Sequence, residues 1–293
     1  MRVFVTGASG GIGSAVVPEL SSAGHRVVGL ARSDASAAVI AGLGAVPLRG
    51  DLRDADALRA GAAQSDGVVH LAFGNDFGNI EANVEEETFA LEVLAEALEG
   101  SGKAFVLASG TPVVPGRLAT EADPAAMEGP LGGRASNAQA VLELAGRGVR
   151  SATVRLPRSV HTGAGRYGFA SFLIAAARRT GVSGFVGDGG QRWPAVHRLD
   201  AARLFRLVLE HAEAGTVAHA VADEGDPMRS IAEAIGRRLD LPVAEVPAEA
   251  FGFLGSVFAL DQPASSALTR QRFAWEPTHP SLLDDLATGS YPN

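Results

Sequence analysis

A glycine-rich segment near the start of the chain has the residue types and the spacing needed to hold a phosphate group. It lies between a predicted strand, Arg2–Thr6, and an amphipathic helix. Gly7 permits a tight turn, Gly10 lets the backbone approach phosphates, and Gly13 allows close packing of the helix. The helix N-terminus then offers free N–H groups to an anion. We therefore predict a dinucleotide site that includes Gly7, Ser9, Gly10, Gly11, Ile12 and Gly13.

Two hydroxyl side chains follow the fifth predicted strand, in the sequence Ser109-Gly110-Thr111-Pro112. Such hydroxyls can donate hydrogen bonds to a substrate carbonyl as negative charge develops on its oxygen. The alternative role is stabilisation of the turn that these residues form. We predict that Ser109 and Thr111 contact the substrate, and neither is acidic enough to be a good proton donor alone.

Three further side chains are candidates for proton transfer. Asp76 follows the fourth predicted strand, where burial would raise its pKa, although Asn-Asp is equally good turn chemistry. Tyr167 lies in a glycine-rich loop that could close over a substrate, and the alternative is packing at a helix start. His197 ends a strand-like run and titrates near neutrality, with packing in the interior as its alternative role.

The elements that position these residues follow an alternating order in the first half of the chain. Runs of β-branched residues alternate with helical periodicity, which predicts a parallel sheet covered on both faces. Helices are predicted to start near Gly11, Ala35, Ala55, Glu81 and Arg134, and strands are predicted at Arg2–Thr6, Arg26–Leu30, Ala45–Leu48, Gly67–Leu71, Ala104–Ala108 and Ser151–Leu156. This doubly wound arrangement binds its ligand beyond the carboxyl ends of the strands, where the strand order reverses.

The second half of the chain has a different rhythm, with Gly-, Pro- and His-rich loops between helical segments. Helices are predicted at Gly168–Thr180, Leu199–Ala214, Ser230–Leu239 and Ala267–Phe273. We therefore predict an α/β protein with a Rossmann core over residues 1–156 and a small, mostly helical substrate lobe over residues 157–293. Trp193 offers that lobe a flat apolar wall.

The end of the second predicted strand bears on the choice of dinucleotide. A carboxylate at this position would bind the adenosine ribose hydroxyls and favour NAD(H). Arg32 and Ser33 stand there instead, and a cation with a hydroxyl suits a 2′-phosphate. We predict NADP(H), with NAD(H) as the alternative, and expect Asp34 to cap the next helix. An ordinary surface arginine is the other interpretation of Arg32.

Residues after the third and fourth predicted strands complete the expected dinucleotide site. Asp51 can accept a hydrogen bond from the adenine amino group while Leu52 packs on the ring, and the alternative for Asp51 is a helix cap. After the fourth strand, the backbone is expected to pass close to the dinucleotide at Leu71, Ala72 and Phe73. His70 is expected to be a packed histidine rather than a catalyst.

Composition excludes several classes of function. A net charge of −8 without a basic run argues against nucleic acid as a partner. The absence of cysteine excludes disulfides and thiolate catalysis, and the histidine spacing suggests no metal site. Lys103 is the only lysine. The sequence shows neither a signal peptide nor an apolar run long enough to span a membrane, so we expect a cytoplasmic protein.

Several motifs occur together in an order typical of one superfamily. They are Thr6-Gly-x-x-Gly-x-x-Gly13, Asp51-Leu52, His70-Leu-Ala72, Ala108-Ser-Gly-Thr111, Val154-Arg-Leu-Pro157 and Val196-His-Arg-Leu-Asp200. In these the chain resembles the extended branch of the short-chain dehydrogenase/reductase superfamily. The resemblance implies a Rossmann core, a nicotinamide cofactor and a homodimer. It also implies carbonyl reduction, alcohol oxidation, or the epimerisation or dehydration of sugar nucleotides.

The chain departs from this superfamily at its catalytic signature, Tyr-x-x-x-Lys. The tyrosine position falls at about Gly132 and the lysine position at Ser136. The chain is therefore similar to the atypical members that are described as NAD-dependent epimerase/dehydratase-like. Arg134, close to the lysine position, could contact a phosphate or ribose of the cofactor but could not transfer a proton.

These observations leave three hypotheses. The first is an NADP(H)-dependent oxidoreductase that acts on a small or medium carbonyl or alcohol with a nonstandard proton donor. The second is an NADP(H)-binding sensor or regulatory protein without turnover. The third is a redox-neutral epimerase or dehydratase that retains its cofactor.

Overall fold

The structure is a computed structural model that describes residues 1–74, 79–125, 132–163 and 168–289. Two of the candidate catalytic residues, Asp76 and Tyr167, lie outside the described residues. None of the helices within these ranges is both long enough and apolar enough to cross a membrane.

The described residues form the following strands: β1 (Arg2–Thr6), β2 (Arg26–Ala31), β3 (Val46–Arg49), β4 (Gly67–His70), β5 (Ala104–Gly110), β6 (Arg150–Leu156), β7 (Ser159–His161), β8 (Ser183–Phe185), β9 (Arg192–His197), β10 (Thr216–His219), β11 (Asp223–Pro227) and β12 (Val243–Glu245).

The α-helices are α1 (Gly13–Ser22), α2 (Asp34–Gly42), α3 (Ala55–Ala63), α4 (Ile80–Leu98), α5 (Gly132–Glu143), α6 (Gly168–Thr180), α7 (Arg198–His211), α8 (Met228–Leu239), α9 (Gly255–Phe258), α10 (Ala267–Phe273) and α11 (Leu282–Thr288). Two 3₁₀ helices, Leu144–Arg147 and Ala248–Leu254, complete the list.

A seven-stranded sheet has the strand order β10-β6-β5-β4-β1-β2-β3. Strand β1 pairs in parallel with both β2 and β4, so the chain first builds the sheet outward through β2 and β3 and then returns to the other side of β1. This reversal of strand order confirms the predicted Rossmann fold. The carboxyl ends of β1 and β4 flank the reversal and are therefore where a ligand site is expected.

The packing beneath this sheet explains why its strands are so apolar. Helices cover the strands, and Phe4 of β1 and Phe105 of β5 are fully buried in the same core cluster. Gly61 of α3 lies directly against Phe4, because a Cβ atom at Gly61 would stand 2.5 Å from the Phe4 Cζ atom. Strands buried on both faces lose the alternation of polar and apolar residues, as the sequence indicated.

Two smaller sheets occur in the second half of the chain. Strand β9 pairs with β7 in parallel and with β11 in antiparallel orientation, and β8 pairs with β12 in parallel. Helices α6, α8 and α11 contribute to a separate core cluster that includes Trp193, Phe258 and Leu282. Helices supply most of the regular structure here.

The chain divides into two compact units, each built from several segments. The first comprises Met1–Gly110, Ala125–Arg155 and Ala202–Ala218, and the second comprises Thr111–Pro124, Leu156–Ala201 and His219–Asn293. The sequence predicts a single division after residue 156, whereas these units are discontinuous along the chain. The assignment of cofactor and substrate to separate domains stays a prediction.

Candidate functional site

The turn between β1 and α1 has no room for side chains at two of its glycines. Gly7 has a φ of +68°, and a Cβ atom there would lie 2.7 Å from the Ala72 backbone nitrogen. A Cβ atom at Gly13 would lie 2.1 Å from the Gly7 carbonyl oxygen, so Gly13 lets the helix pack against the turn itself. The Gly10 N–H donates to the same carbonyl at 2.9 Å. The result is a bare backbone cradle at a helix N-terminus, which fits a pyrophosphate.

The ends of β1 and β4 are joined by side chains beside this cradle. Thr6 Oγ1 lies 3.1 Å from His70 Nδ1 and accepts a longer hydrogen bond, 3.4 Å, from the Ala72 N–H. His70 is fully buried, and burial together with the nearby positive charge of Arg134 lowers its pKa to about 3. His70 is therefore neutral near pH 7. It is a packed histidine, as the sequence predicted, and it fixes the segment that carries Leu71 and Ala72.

The end of β2 differs from expectation in its helix cap. Ser33 caps α2, because its hydroxyl oxygen accepts the Ser36 N–H at 3.1 Å. The Ser36 hydroxyl oxygen in turn accepts the Ser33 N–H at 2.9 Å. The prediction that Asp34 is the cap is wrong, since serine already occupies the capping position with the extended backbone that it requires. Asp34 instead pairs with Arg49 at 3.4 Å. Arg32 is exposed at the strand end.

Arg49 is not among the predicted site residues. It ends β3 and stands opposite Ala31 in the β2–β3 register, one residue before Arg32. Its side chain is half exposed. The sequence could have indicated that Arg49 lies beside Arg32, because parallel neighbouring strands end at the same edge of a sheet. Two arginines therefore occupy the carboxyl ends of β2 and β3.

The segment after β3 contains Asp51, for which the sequence left open an adenine contact and a helix cap. Asp54, not Asp51, caps α3, and its carboxylate accepts the Ala57 N–H at 3.0 Å. Asp51 is exposed and accepts the Arg53 N–H at 2.9 Å. Leu52 is buried in the core cluster of the first unit. The helix-cap alternative for Asp51 is therefore wrong, and the adenine contacts of Asp51 and Leu52 stay predictions.

Arg134 on α5 is held by three different groups. Its Nη2 donates to the Ala108 carbonyl oxygen at 3.1 Å and lies 3.3 Å from Glu87 Oε1. Its guanidinium carbon stands 4.0 Å from the centre of the Phe73 ring. Because Ala108 belongs to β5 and Phe73 follows β4, the cation is fixed across the carboxyl ends of both strands.

Glu87 anchors this arrangement from α4. It is 1% exposed, and Asn137 donates to its Oε2 at 3.0 Å. The Thr88 hydroxyl donates to Asn137 Oδ1 at 2.9 Å. Burial raises the pKa of Glu87, whereas Arg134 and Asn137 act in the opposite direction. Glu87 is not among the predicted site residues, although its spacing from Ala90 and Leu91 places it on the apolar face of α4.

The positions of the missing catalytic signature lie on the first two turns of α5. Ser136 donates a hydrogen bond from its hydroxyl to the Gly132 carbonyl at 3.1 Å. Glycine and serine supply neither a phenol nor an ammonium group here. The described part of the chain contains no tyrosine, since Tyr167 and Tyr291 both lie outside it.

The two predicted hydroxyls belong to different compact units. Ser109 is buried at the end of β5 in the first unit. Thr111 belongs to the second unit, where its N–H donates to the Leu156 carbonyl at 3.0 Å and its carbonyl accepts from Gln262 at 2.7 Å. The Thr111 hydroxyl is buried and has no hydrogen-bond partner among the described residues. Their contacts with a substrate stay predictions.

His197 belongs to a cluster of histidines in the second unit. Its Nδ1 accepts the Leu199 N–H at 3.3 Å, and its ring stacks on His279 at 4.7 Å between centroids. His161 lies edge-on to it and contacts the Asp285 carboxylate at 2.6 Å. Burial lowers the pKa of His197 to about 4. A neutral, packed ring favours the packing role that the sequence left open.

The same cluster brings together potential metal ligands that are far apart in sequence. Ligand atoms of His197, Asp200 and His279 lie within 4.8 Å of one another. The Asp200 carboxylate already accepts the N–H groups of Thr278 and His279, each at 3.0 Å, and lies 2.9 Å from His279 Nδ1. These hydrogen bonds give Asp200 a structural role, and we assign no metal to the group.

Comparison with known proteins places these features in a family context. Residues 3–222 match a model described as the NAD dependent epimerase/dehydratase family. An uncharacterized protein of Schizosaccharomyces pombe is 45% identical over 297 residues, covering 99% of this chain and 100% of its own length. One from Saccharomyces cerevisiae is 45% identical over 293 residues, covering 98% of each. A human epimerase family protein is 26% identical and covers 89% of this chain and 90% of its own.

Solved structures share the fold at lower identity. A dTDP-glucose 4,6-dehydratase from Streptomyces venezuelae with NAD bound superimposes with a TM-score of 0.81 at 20% identity, covering 99% of this chain and 95% of its own. A UDP-glucose 4-epimerase from Thermus thermophilus in complex with NAD gives a TM-score of 0.77 at 21% identity, covering 99% and 97%. These likenesses establish the architecture.

Proposed function

Because this chain belongs to the NAD dependent epimerase/dehydratase family, we propose that it is an NADP(H)-dependent oxidoreductase for a small or medium carbonyl or alcohol. The observation that carries the proposal is the backbone cradle at Gly7 and Gly13, where a Cβ atom would collide with neighbouring backbone. NAD in the solved neighbours supports a nicotinamide dinucleotide at this place. When bound, the nicotinamide supplies or accepts the hydride.

The preference for NADP(H) rests on the charges at the ends of β2 and β3. Arg32 follows β2 where a carboxylate would select for NAD(H), and Arg49 ends the neighbouring strand. Asp34 is paired with Arg49, which offsets its repulsion of a phosphate. An arginine binds a phosphate through parallel charge-assisted hydrogen bonds, so Arg32 is the residue that we assign to the 2′-phosphate.

Two residues of the first unit are assigned to the reacting end of the site. Ser109 donates a hydrogen bond to the substrate oxygen as charge develops there. Arg134 supplies a fixed positive charge close to the position where the superfamily has its lysine. Since neither transfers a proton readily, the proton comes from another group or from ordered water.

The cofactor assignment is tested by titrating the protein with NADPH and with NADH, following nicotinamide fluorescence. Arg32→Ala should weaken NADPH binding about tenfold or more and leave NADH binding unchanged, since a charge-assisted hydrogen bond is worth about 1.5–3 kcal/mol. Arg26→Ala is the matched control, because Arg26 is an exposed arginine at the opposite end of the same strand. Equal binding of the two nucleotides by the wild type would contradict the NADP(H) preference.

Oxidation of bound NADPH by a panel of aldehydes and ketones tests the activity separately. Turnover supports the oxidoreductase. Tight binding with no oxidation by any carbonyl would overturn it in favour of a sensor without turnover or a redox-neutral enzyme.

A further inference from the structure

Arg158, in the second unit, is held by a neutral amide. Arg158 lies between β6 and β7, and its Nε donates to Gln262 Oε1 at 3.0 Å, while its Nη2 donates to the same oxygen. Among the described residues, no carboxylate forms an ion pair with it. Arg192, in the same unit, pairs with Asp261 at 2.8 Å, which is the usual arrangement.

Two aromatic side chains lie beside the Arg158 guanidinium. Its central carbon lies 5.7 Å from the centre of the Phe169 ring and 5.9 Å from that of Trp193. Trp193 is fully buried and is anchored by a hydrogen bond from its Nε1 to the Leu260 carbonyl at 3.2 Å. The two rings therefore form an apolar wall beside the cation.

The environment of Arg158 leaves part of its charge uncompensated. Burial lowers its pKa to about 10, and no acidic group counters this effect. A neutral amide and two aromatic faces stabilise a guanidinium far less than a carboxylate does. Arg158 is still partly exposed, so a small ligand can reach it. A partly desolvated cation without a counterion is typical of an empty anion-binding site.

Gln262 connects Arg158 to a predicted substrate contact. Its oxygen takes the Nε and Nη2 hydrogens of one edge of the guanidinium, while its own amide donates to the Thr111 carbonyl at 2.7 Å. The Nη1 edge accordingly has no acceptor among the described residues. Thr111, whose buried hydroxyl also has no partner there, is held in the same small network.

We propose that Arg158 binds a carboxylate of the substrate, against an apolar wall formed by Phe169 and Trp193. This inference rests on the proposed function and narrows its substrate class to oxo or hydroxy acids with an apolar body. The free Nη1 side of the guanidinium takes the carboxylate through two parallel hydrogen bonds, while Gln262 holds the other edge and links it to the Thr111 carbonyl.

The test compares benzoate with benzamide, which has the same shape and no charge, by calorimetric titration of the whole protein. Wild type should bind benzoate about tenfold tighter or more, and Arg158→Met should remove that difference. Arg158→Lys, which keeps the charge but not the fork, should retain an intermediate preference. Arg229→Met is the matched control, since Arg229 is an exposed arginine that stands 4.4 Å over the Phe185 ring of the same unit.

Wild type that binds benzoate no better than benzamide would overturn the proposal, whether or not the variants fold. Arg158→Met that folds and keeps the preference would overturn it as well. NADPH titration of the same samples reports on the glycine cradle in the first unit. A failure of carboxylate binding with NADPH binding intact is therefore distinguishable from a failure of the proposed function.

Discussion

At the scale of single residues, Arg134 and Glu87 show how a charge is fixed in this fold. Glu87 is almost fully buried, and a buried carboxylate left alone would be costly. Arg134 and Asn137 both contact it, so the carboxylate determines where the guanidinium lies. The pair thereby holds a positive charge close to Ser136, the predicted lysine position, on a residue type that cannot lose its proton near neutrality.

Glu87→Gln should lower both stability and turnover. The amide keeps the shape but not the charge, so Arg134 loses its counterion, at a cost of roughly 1–3 kcal/mol in unfolding free energy. Turnover should fall more than NADPH affinity, because Arg134 is the residue that we propose for the reacting end of the site. Glu86→Gln, at a neighbouring and more exposed position on α4, is the control for urea unfolding and steady-state kinetics. Equal stability of the two variants would contradict the structural importance of the pair.

Ser109→Ala tests the hydroxyl assigned to the substrate oxygen. Removing one such donor should reduce turnover about a hundredfold, while NADPH affinity stays within about twofold. Steady-state kinetics and nicotinamide fluorescence measure the two quantities separately. Ser22→Ala, an exposed hydroxyl at the end of α1, should change neither. Undiminished turnover in Ser109→Ala would remove this residue from the mechanism.

Residue-scale predictions from the sequence succeeded where the partners lie close along the chain or on paired strands. Gly7 and His70 could be placed because glycine spacing and the order of strands determine their surroundings. Glu87 and Arg158 could not be predicted, since their partners Asn137 and Gln262 are 50 and 104 positions away. Only the fold brings those side chains together, and a lone glutamate or arginine in a sequence is typical of a surface.

At the scale of elements, the glycine cradle depends on how closely α1 approaches the turn after β1. Gly13 begins the helix against the Gly7 carbonyl, with no space for even a methyl group. The close approach presents the first free N–H groups of α1 to the turn. The predicted phosphate site is therefore a property of the packing between a strand end and a helix start.

Gly13→Ala should disrupt that packing. A Cβ atom 2.1 Å from the Gly7 carbonyl forces the backbone to move, so NADPH binding should be lost or weakened more than tenfold and the unfolding free energy should fall by about 1–3 kcal/mol. Gly42→Ala, where a Cβ atom would meet nothing within 4 Å, should bind NADPH normally. Normal NADPH affinity in Gly13→Ala would contradict the cradle. Fluorescence titration and urea unfolding provide the measurements.

The buried His70, which contacts Thr6 at the ends of β4 and β1, should make the free energy of unfolding depend on pH. His70 has a pKa of about 3 in the folded chain and about 6.5 when unfolded, so the unfolded chain takes up the proton first. Folding stability should therefore fall as pH decreases below about 6.5, by up to about 1.4 kcal/mol per pH unit. His70→Gln should lack this contribution.

Urea unfolding of wild type and His70→Gln at pH 7 and pH 5 measures the effect as a difference. Asp226, whose pKa is raised to about 6 chiefly by burial, contributes with the opposite sign. That contribution is present in both proteins and cancels in the comparison. If the unfolding free energy changes by the same amount between pH 7 and pH 5 in both proteins, His70 does not stay neutral in the folded chain.

Element boundaries followed the strength of the local pattern. Strand β1 and helices α6 and α10 have the predicted bounds, since each has a clear period and a glycine, proline or polar residue at its end. The short strands β8 and β12 were not predicted. All three residues of β12 are exposed, so no alternation of apolar and polar side chains was available to reveal it.

At the scale of the whole molecule, ligand affinity must overcome an unfavourable net charge. The chain carries −8, and both NADP(H) and a carboxylate are anions. Long-range repulsion is screened beyond about 8 Å at physiological ionic strength, so local groups decide binding. Arg32 and Arg49 in the first unit and Arg158 in the second are such groups.

The two compact units allow the two ligands to be assigned by calorimetry. A ligand present at about 100 times its dissociation constant stabilises the folded state by about 2.7 kcal/mol, which raises the melting temperature by several degrees. NADPH should raise the transition that Gly13→Ala lowers, and benzoate should raise the transition that Arg158→Met affects. If the units unfold in separate transitions, each ligand should raise the melting temperature of only one of them. If they unfold in a single cooperative transition, either ligand should raise its melting temperature. A melting profile that NADPH leaves unmoved at every transition would exclude a nicotinamide dinucleotide from the cradle, and the oxidoreductase proposal would fall with it.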